Sequence, residues 1–371
     1  MVDLQTQYLN IKPEVDEAIQ EVLNSTIFVK GGKVKTFEEN LSSYLDGANV
    51  ITCGNGTDAL QIALMALELE PGDEVITTPF TFIATLEVIE LLKLKPVLVD
   101  ADPDNFNIDV SKLEEKITSK TRCIIPVHLF GQCANMEAIM ELANRYSLYV
   151  VEDACQALGS DFLFKDGTSQ KAGSVGHIGC NSFFPSKNLG AFGDGGAIFT
   201  RDLTLANKVR AISNHGMQER YYHDFVGVNS RLDGIQAAIL DVKLKYLNKY
   251  IKARQIAAEY YDEKLKGLDQ ICVPHRESYS THGFHQYTLI IKNGDRDGLR
   301  KYLNDHDIPA MIYYPVPLHL QKAYSHLNYN EGDFPVAEKL ATEVLSLPMH
   351  TELDEEQLNC ICTTIKNYFN S

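Results

Sequence analysis

Ala48-Asn49-Val50-Ile51-Thr52-Cys53-Gly54-Asn55-Gly56-Thr57-Asp58-Ala59-Leu60 runs from a short β-branched segment through a glycine-rich turn into a helix. Leu60, Ala63, Leu64 and Leu67 continue it at i, i+3, i+4 and i+7, the period of an amphipathic helix. A strand that turns on glycine into a helix is the first half of a βα unit, and the chain repeats it. Apolar runs recur at 74–78, 96–100, 122–127, 148–153, 179–184 and 196–200, with helical periods between most of them, as at Met136, Ile139, Met140 and Ala143. Seven strands follow. Strands apolar on both faces and alternating with helices predict an α/β fold built on a mostly parallel sheet. The last two runs are joined by a glycine-rich loop without a helix, so one of them is free to run antiparallel. From Leu232 a helical pattern (Ile235, Ala238, Ile239, Val242) enters a charged stretch at 243–266. It predicts one long helix leading from a large domain, 1–245, into a smaller one, 246–371.

The 371 residues are 44% hydrophobic and 23% charged, a globular composition. Lys and Arg number 34 against 50 Asp and Glu, a net charge of −16, which argues against nucleic-acid and anionic-membrane partners. Any anionic ligand must be held by local groups. Met1-Val2-Asp3-Leu4-Gln5 lacks the basic and apolar regions of a signal peptide, and no apolar run nears the roughly 20 residues of a membrane span. A soluble, cytoplasmic protein is expected. Eight cysteines are scattered without a CxxC pair, which reads as reduced thiols. Cys360 with Cys362, and His282 with His285, offer two metal ligands each but no second pair at zinc-site spacing, so no metal is expected.

Open parallel sheets bind ligands beyond the carboxyl ends of their strands, and the unusual residues cluster there. The Gly54–Gly56 turn leads into a helix N-terminus, where free N–H groups bind phosphate. It reads equally well as a turn with Thr57 or Asp58 as N-cap, and for a phosphate to bind, Asp58 must point away. Neither G-x-G-x-x-G nor a P-loop is present. Asp153 ends the run Val150-Val151-Glu152-Asp153, as a helix cap, a magnesium-binding acid or an anion for a cationic ring nitrogen. Lys187 follows a buried strand in Asn181-Ser182-Phe183-Phe184-Pro185-Ser186-Lys187-Asn188-Leu189-Gly190, where a lysine either snorkels or is chemically used. Desolvation lowers an amine's pKa, as a carbonyl-binding lysine needs. Together the three features can hold pyridoxal phosphate: phosphate in the turn, pyridinium on Asp153, aldehyde on Lys187.

Gly56-Thr57-Asp58-Ala59-Leu60, Pro71-Gly72-Asp73-Glu74-Val75-Ile76-Thr77, Pro126-Val127-His128-Leu129-Phe130-Gly131, Glu152-Asp153-Ala154, Ser182-Phe183-Phe184-Pro185-Ser186-Lys187 and Asn229-Ser230-Arg231-Leu232-Asp233 with Gln236-Ala237-Ala238 resemble, in this order, the motifs of the DegT/DnrJ/EryC1/StrS sugar aminotransferases. The resemblance runs from about Asp3 to Pro348. It implies a type I pyridoxal-phosphate-dependent aminotransferase fold with a mostly parallel seven-stranded sheet and a smaller C-terminal α+β domain. It also implies a homodimer with shared active sites, and amino transfer, usually from L-glutamate, to a keto sugar on a nucleotide carrier, with pyridoxamine phosphate as the intermediate form of the cofactor.

Carried over by resemblance, Lys187 binds the cofactor's aldehyde and moves the proton, and Asp153 partners the pyridine nitrogen. Gln156 approaches the ring hydroxyl and Phe82 stacks on the ring. Gly56, Thr57 and Ser182 hold the phosphate, and Asn229 reaches it from the neighbouring subunit. Phe82 also reads as core, and Asn229 as a cap for the helix near Leu232. Arg231, Tyr313, Tyr314 and His319 fall where the family contacts the sugar. Local cations for the nucleotide are sought at Lys30, Lys33, Arg220 and Arg231. Within the family, Gly190-Ala191-Phe192-Gly193-Asp194-Gly195-Gly196 and Val226-Gly227-Val228-Asn229 resemble the C3-aminating branch. That implies UDP-2-acetamido-2-deoxy-3-oxo-glucuronate as acceptor, in surface polysaccharide (O-antigen) synthesis. A dTDP-linked 3-keto-6-deoxyhexose is the alternative acceptor, and a sugar dehydratase the alternative reaction. Lys187 argues against the dehydratase, which carries histidine there. Two positions depart from the family pattern, Tyr313 where histidine is common and Cys155 where alanine is usual.

Overall fold

The computed structural model describes residues 1–292 and 295–370. Strands β1 (Asn49–Cys53), β2 (Glu74–Thr77), β3 (Lys95–Leu98), β4 (Thr121–Ile124) and β5 (Tyr149–Asp153) precede a hairpin of β6 (Asp161–Leu163) and β7 (Ser169–Lys171). β8 (Ile178–Ser182) and β9 (Gly196–Thr200) follow, and the seven longer strands form one sheet in the order β1-β9-β8-β5-β4-β2-β3. These seven correspond to the seven apolar runs.

Every pair in that sheet is parallel except those of β9, which runs antiparallel to both β8 and β1. A parallel neighbour needs a long crossover, whereas the loop at 183–195 simply turns back. It turns tightly: a Cβ on Gly190 would sit 2.2 Å from the Pro185 carbonyl oxygen, so only glycine fits.

Both faces of the sheet are covered, as the unbroken apolar runs require. Val75, Val151, Ile178 and Ile198 pack with Leu60, Ala63 and Leu64 of the helix Gly56–Ala66. Ile76, Ile124 and Val150 pack on the opposite face with Met136, Ile139 and Ala143 of the helix Met136–Tyr146. Each buried leucine or isoleucine contributes about 1.5–3 kcal/mol relative to exposure. The N-terminal helix Leu4–Ser25 lays Ile11, Val15, Ala18 and Val22 against Ala238, Ile239 and Val242.

The long helix expected after Leu232 is two helices, Gly234–Leu244 and Leu247–Leu265. No glycine or proline marks the break, which is why periodicity runs through it. The second helix touches two cores. Leu247 and Ile251 pack with Phe183 and Leu189 near the large sheet. Ala257, Ala258, Tyr261 and Leu265 pack around an antiparallel sheet of β10 (Ile271–Cys272), β11 (Tyr287–Ile291) and β12 (Val344–Leu347).

β1 lies at the sheet's edge, and side chains occupy its outer side. Glu38 accepts hydrogen bonds from the Thr52 N–H and hydroxyl, both at 2.9 Å. Arg210 donates to the Val50 carbonyl at 3.1 Å and pairs with Glu38 at 3.0 Å.

Among the described residues no helix is long and apolar enough to cross a membrane. All eight cysteines are free.

Candidate active site

The turn after β1 is capped by Asn55, not by Thr57 or Asp58. The Asn55 side chain accepts from the Asp58 N–H at 2.8 Å and so fixes the first turn of the helix. Among the described residues no acceptor meets the N–H groups of Gly56 and Thr57. Asp58 points away, as a phosphate site requires, because its carboxylate accepts the Ser230 hydroxyl at 2.5 Å. A Cβ on Gly56 would lie 2.7 Å from the Ser182 Cβ and 2.9 Å from the Cys155 Sγ, so glycine lets the turn lie directly on the end of β8. The Ser182 hydroxyl accepts the Phe184 N–H at 3.2 Å and keeps its own proton to donate.

Asp153 is buried at the carboxyl end of β5. One carboxylate oxygen accepts the Thr85 hydroxyl at 2.7 Å and the other the Cys155 N–H at 3.2 Å. A carboxylate offers about four lone-pair sites, so capacity remains for a cationic N–H. Gln156 is oriented from both ends: its Oε1 accepts the Phe130 N–H at 2.8 Å, and its Nε2 donates to the Tyr314 hydroxyl at 3.1 Å. Burial raises the pKa of the Tyr314 hydroxyl, so the phenol stays neutral. Tyr314 also lies 6.2 Å from Phe82, ring centre to ring centre. Phe82 is 53% exposed, so it is not core; it offers a free ring face beside the site.

Lys187 stands half-buried in the loop after β8. Burial lowers its amine pKa, with Cys155 and Asp153 opposing the shift. His285 is buried within electrostatic reach of it. Desolvation, with Lys187 and Arg254 adding to it, holds that imidazole well below its usual range, and its Nδ1 has no hydrogen-bond partner. Because that ring is neutral, burial remains the cause that lowers the lysine's pKa.

The remaining candidates divide. Lys30, Arg210 and Arg231 line one cavity of about 940 Å³ together with Ser230. Desolvation lowers the Lys30 pKa, and the charges of Arg231 and Arg210 add to the effect. Asn229 is exposed next to this wall, bridged to Asn214. Tyr313 is half-buried beside Tyr314, with ring centres 5.9 Å apart.

His319, expected at the sugar, is placed otherwise. It is 2% exposed, bonded through Nε2 to Glu338 at 3.0 Å and set edge-on against Phe334, with no surface left for a substrate. Lys33 pairs with Glu21, and Arg220 lies over the Tyr221 ring, so neither joins the cavity cations. His282 is buried edge-on to Phe284, and burial pushes it down to about 3. Among the described residues no group of three His, Cys, Asp or Glu side chains could hold a metal ion.

Four residues that meet the site's groups had no such place in the sequence reading: Thr85 on Asp153, His285 near Lys187, and the buried pair of His128 and Glu152. Thr85 carries no local signal, since its partner is distant in sequence, and His285 stood out only as a possible metal ligand with His282. Glu152 and His128 stood inside quoted motifs without an assigned role.

The donor set fits pyridoxal phosphate. Two open N–H groups and the Ser182 hydroxyl face a turn from which the Asp58 carboxylate is tied away, a carboxylate with spare lone pairs lies at the strand end, and a lysine of lowered pKa stands within its electrostatic reach. The chain belongs to the DegT/DnrJ/EryC1/StrS aminotransferase family, whose profile matches residues 9–366. It is therefore a pyridoxal-phosphate-dependent aminotransferase of the class that acts on sugars.

Among its relatives, a Geobacillus stearothermophilus protein described as a pleiotropic regulatory protein is 46% identical over 371 residues, 100% of this chain and 98% of the relative. The UDP-2-acetamido-2-deoxy-3-oxo-D-glucuronate aminotransferase of Pseudomonas aeruginosa is 43% identical, covering 99% of each chain. The dTDP-3-amino-3,6-dideoxy-alpha-D-galactopyranose transaminase of Aneurinibacillus thermoaerophilus is 38% identical, covering 99% of this chain and 98% of its own. Among solved structures, S. venezuelae DesV superposes with a TM-score of 0.95 at 36% identity, over 100% of this chain and 98% of that one. NtdA of Bacillus subtilis, with pyridoxamine phosphate bound, superposes at 0.89 and 33% identity, over 98% and 82%.

Proposed function

We propose that the protein transfers an amino group from L-glutamate to the C3 keto carbon of a UDP-linked sugar, UDP-2-acetamido-2-deoxy-3-oxo-glucuronate, for surface polysaccharide synthesis in the cytoplasm. The carrying observation is the meeting of Lys187, Asp153 and the Gly56 turn at one end of the sheet. When bound, pyridoxal phosphate supplies an electrophilic carbon and an electron sink and stores the amino group between the two half-reactions.

The residues then have distinct tasks. Gly56, Thr57 and Ser182 bind the phosphate dianion through backbone N–H and hydroxyl donors. Asp153 holds a proton on the ring nitrogen, and Gln156 orients the ring hydroxyl. Phe82 covers a ring face and excludes water. Lys187, neutral at lower pH than a solvated lysine because of its burial, accepts and returns a proton at Nζ. Residues 1–245 act as the cofactor-binding unit and 246–371 as the smaller one, which contributes Tyr313 and Tyr314. Two copies share their sites, with Asn229 of each reaching the phosphate of the other. Exposed Ile27, Phe28 and Val29, each more than two-fifths accessible, are the apolar surface such an assembly would cover.

The UDP-uronate reading is supported by the Pseudomonas relative and by Lys30 and Arg231, which bring positive charge to a cavity of an acidic chain where Arg210 is paired with Glu38. The dTDP-sugar relative, similarly close, keeps a 3-keto-6-deoxyhexose as the second reading. That sugar lacks the carboxylate a cation would recognise. The test is the visible spectrum of the purified protein with pyridoxal phosphate, before and after L-glutamate, beside Lys187→Ala. Loss of the lysine-bound absorption band with release of 2-oxoglutarate is expected, and Lys187→Ala should lack the band. A Lys187→Ala protein that still turns over would overturn the assignment. Comparing kcat/KM for UDP- and dTDP-linked 3-keto sugars, with and without the carboxylate, then decides between the two acceptors.

A further inference from the structure

Directly behind Asp153 lies a fully buried acid–base pair that touches no solvent. The alternation of β5 turns Glu152 to the face opposite Asp153. Its carboxylate accepts His128 Nε2 at 2.7 Å and the backbone N–H groups of Gly173 at 2.9 Å, Val175 at 2.7 Å and Gly176 at 2.5 Å. His128 Nδ1 accepts the Ala134 N–H at 3.1 Å, which puts the ring proton on Nε2, facing Glu152. Both side chains are 0% exposed.

The backbone of the same histidine reaches the site. The His128 N–H donates to the Asp153 carbonyl at 3.0 Å, and the Asp153 N–H to the Pro126 carbonyl at 2.9 Å. Two residues on, the Phe130 N–H holds Gln156, and Phe130 and Gly131 both take positive φ, 57° and 102°. The Gly131 carbonyl accepts the Ser160 hydroxyl at 2.7 Å and the Gly283 N–H at 2.8 Å. One short turn therefore ends on Asp153 at one side and on Gln156 at the other.

We propose that the His128–Glu152 pair is a positioning device for the cofactor ring: by anchoring this turn it sets where Asp153 and Gln156 stand. Neither residue touches the cofactor or substrate; both act through the two that do. The inference rests on the reading of Asp153 and Gln156 as cofactor contacts.

Two amides separate this role from simple packing. Glutamine places its terminal amide near the Nε2 position and keeps a donor for Glu152. Asparagine places its amide near Nδ1 and leaves Glu152 without that donor. Each variant, with Glu152→Gln and Asp153→Asn, is titrated with pyridoxal phosphate, and its visible band and thermal midpoint are recorded. His128→Gln is expected to bind with an affinity close to wild type and with an unshifted band. His128→Asn and Glu152→Gln should raise Kd by about tenfold and move the band, as 1.4 kcal/mol of misplacement would. Equal effects of His128→Gln and His128→Asn, or a changed midpoint with unchanged Kd and band, would overturn the proposal. If His128→Asn does not fold, a folded His128→Gln that has lost the cofactor overturns it as well. An Asp153→Asn protein with wild-type affinity and band removes the underlying reading of Asp153, and the inference falls with it. An altered Asp153→Asn beside a silent His128→Asn removes the inference alone.

Discussion

The Ser230 hydroxyl donates to the Asp58 carboxylate at 2.5 Å and accepts the Gly54 N–H at 2.8 Å, so one buried serine ties back the Asp58 carboxylate from the turn proposed to bind phosphate and shapes that turn. Ser230→Ala should release Asp58 toward the phosphate and weaken pyridoxal phosphate binding by about tenfold. Adding Asp58→Asn should restore most of the loss. A fluorescence titration of both variants checks this, and an Ser230→Ala protein of unchanged affinity would refute it.

Thr85 is fully buried and donates to Asp153 at 2.7 Å. Thr85→Val keeps the shape and removes the donor, at about 1 kcal/mol of stability. The glutamate half-reaction should slow by roughly tenfold while KM for glutamate holds, because the lost bond orients the carboxylate proposed to act on the reacting ring. Stopped-flow absorbance measures the rate; a slowed rate accompanied by an equally raised KM would point to a binding role instead.

Lys243 is buried under the lysine loop, where its ammonium donates to the Gly190 carbonyl. Burial, with the charge of Arg254 adding to it, pushes its pKa down from 10.5 to about 8. Between those values the unfolded chain holds a proton that the folded chain has released, so this group makes stability rise with pH across that window. The rise is about 3 kcal/mol at most. Lys243→Met should abolish it. Urea unfolding of both proteins at pH 7.5 and pH 10 reads the difference; parallel changes in the two would show that the lysine titrates normally.

Gly56→Ala should fold and lose the cofactor. Its new methyl would overlap the Ser182 Cβ and the Cys155 Sγ, and moving the turn away opens the phosphate donors. Cys155→Ala removes one of the two obstacles and should recover part of the affinity. An equilibrium dialysis experiment showing wild-type retention by Gly56→Ala would remove the close-approach argument.

The strand runs were legible because a sheet covered on both faces makes every strand apolar, as at Val75-Ile76 and Val150-Val151. The reversal of β9 was legible as an option only, since a missing helix permits it without naming the strand. The break between Leu244 and Leu247 was not legible, because both helices bury residues at helical spacing and no breaker intervenes. In the site, Lys187 and Asp153 stood out as polar residues at the ends of apolar runs. Thr85 could not stand out, since a buried threonine reads like any other until its partner is known. His319 misled for the opposite reason: its motif lies beside the segment that carries Tyr313 and Tyr314, while its ring turns inward to Glu338.

The charged side chains on the outer side of β1 bear on how the molecule behaves in a crowded solution. An edge strand with free N–H and C=O groups is a template on which another chain can grow a further strand, the first step toward insoluble aggregates. Glu38 occupies the donors of Thr52 and Arg210 the acceptor of Val50, and the two hold each other in place. With these two side chains the protein closes one border of its largest sheet against runaway self-addition.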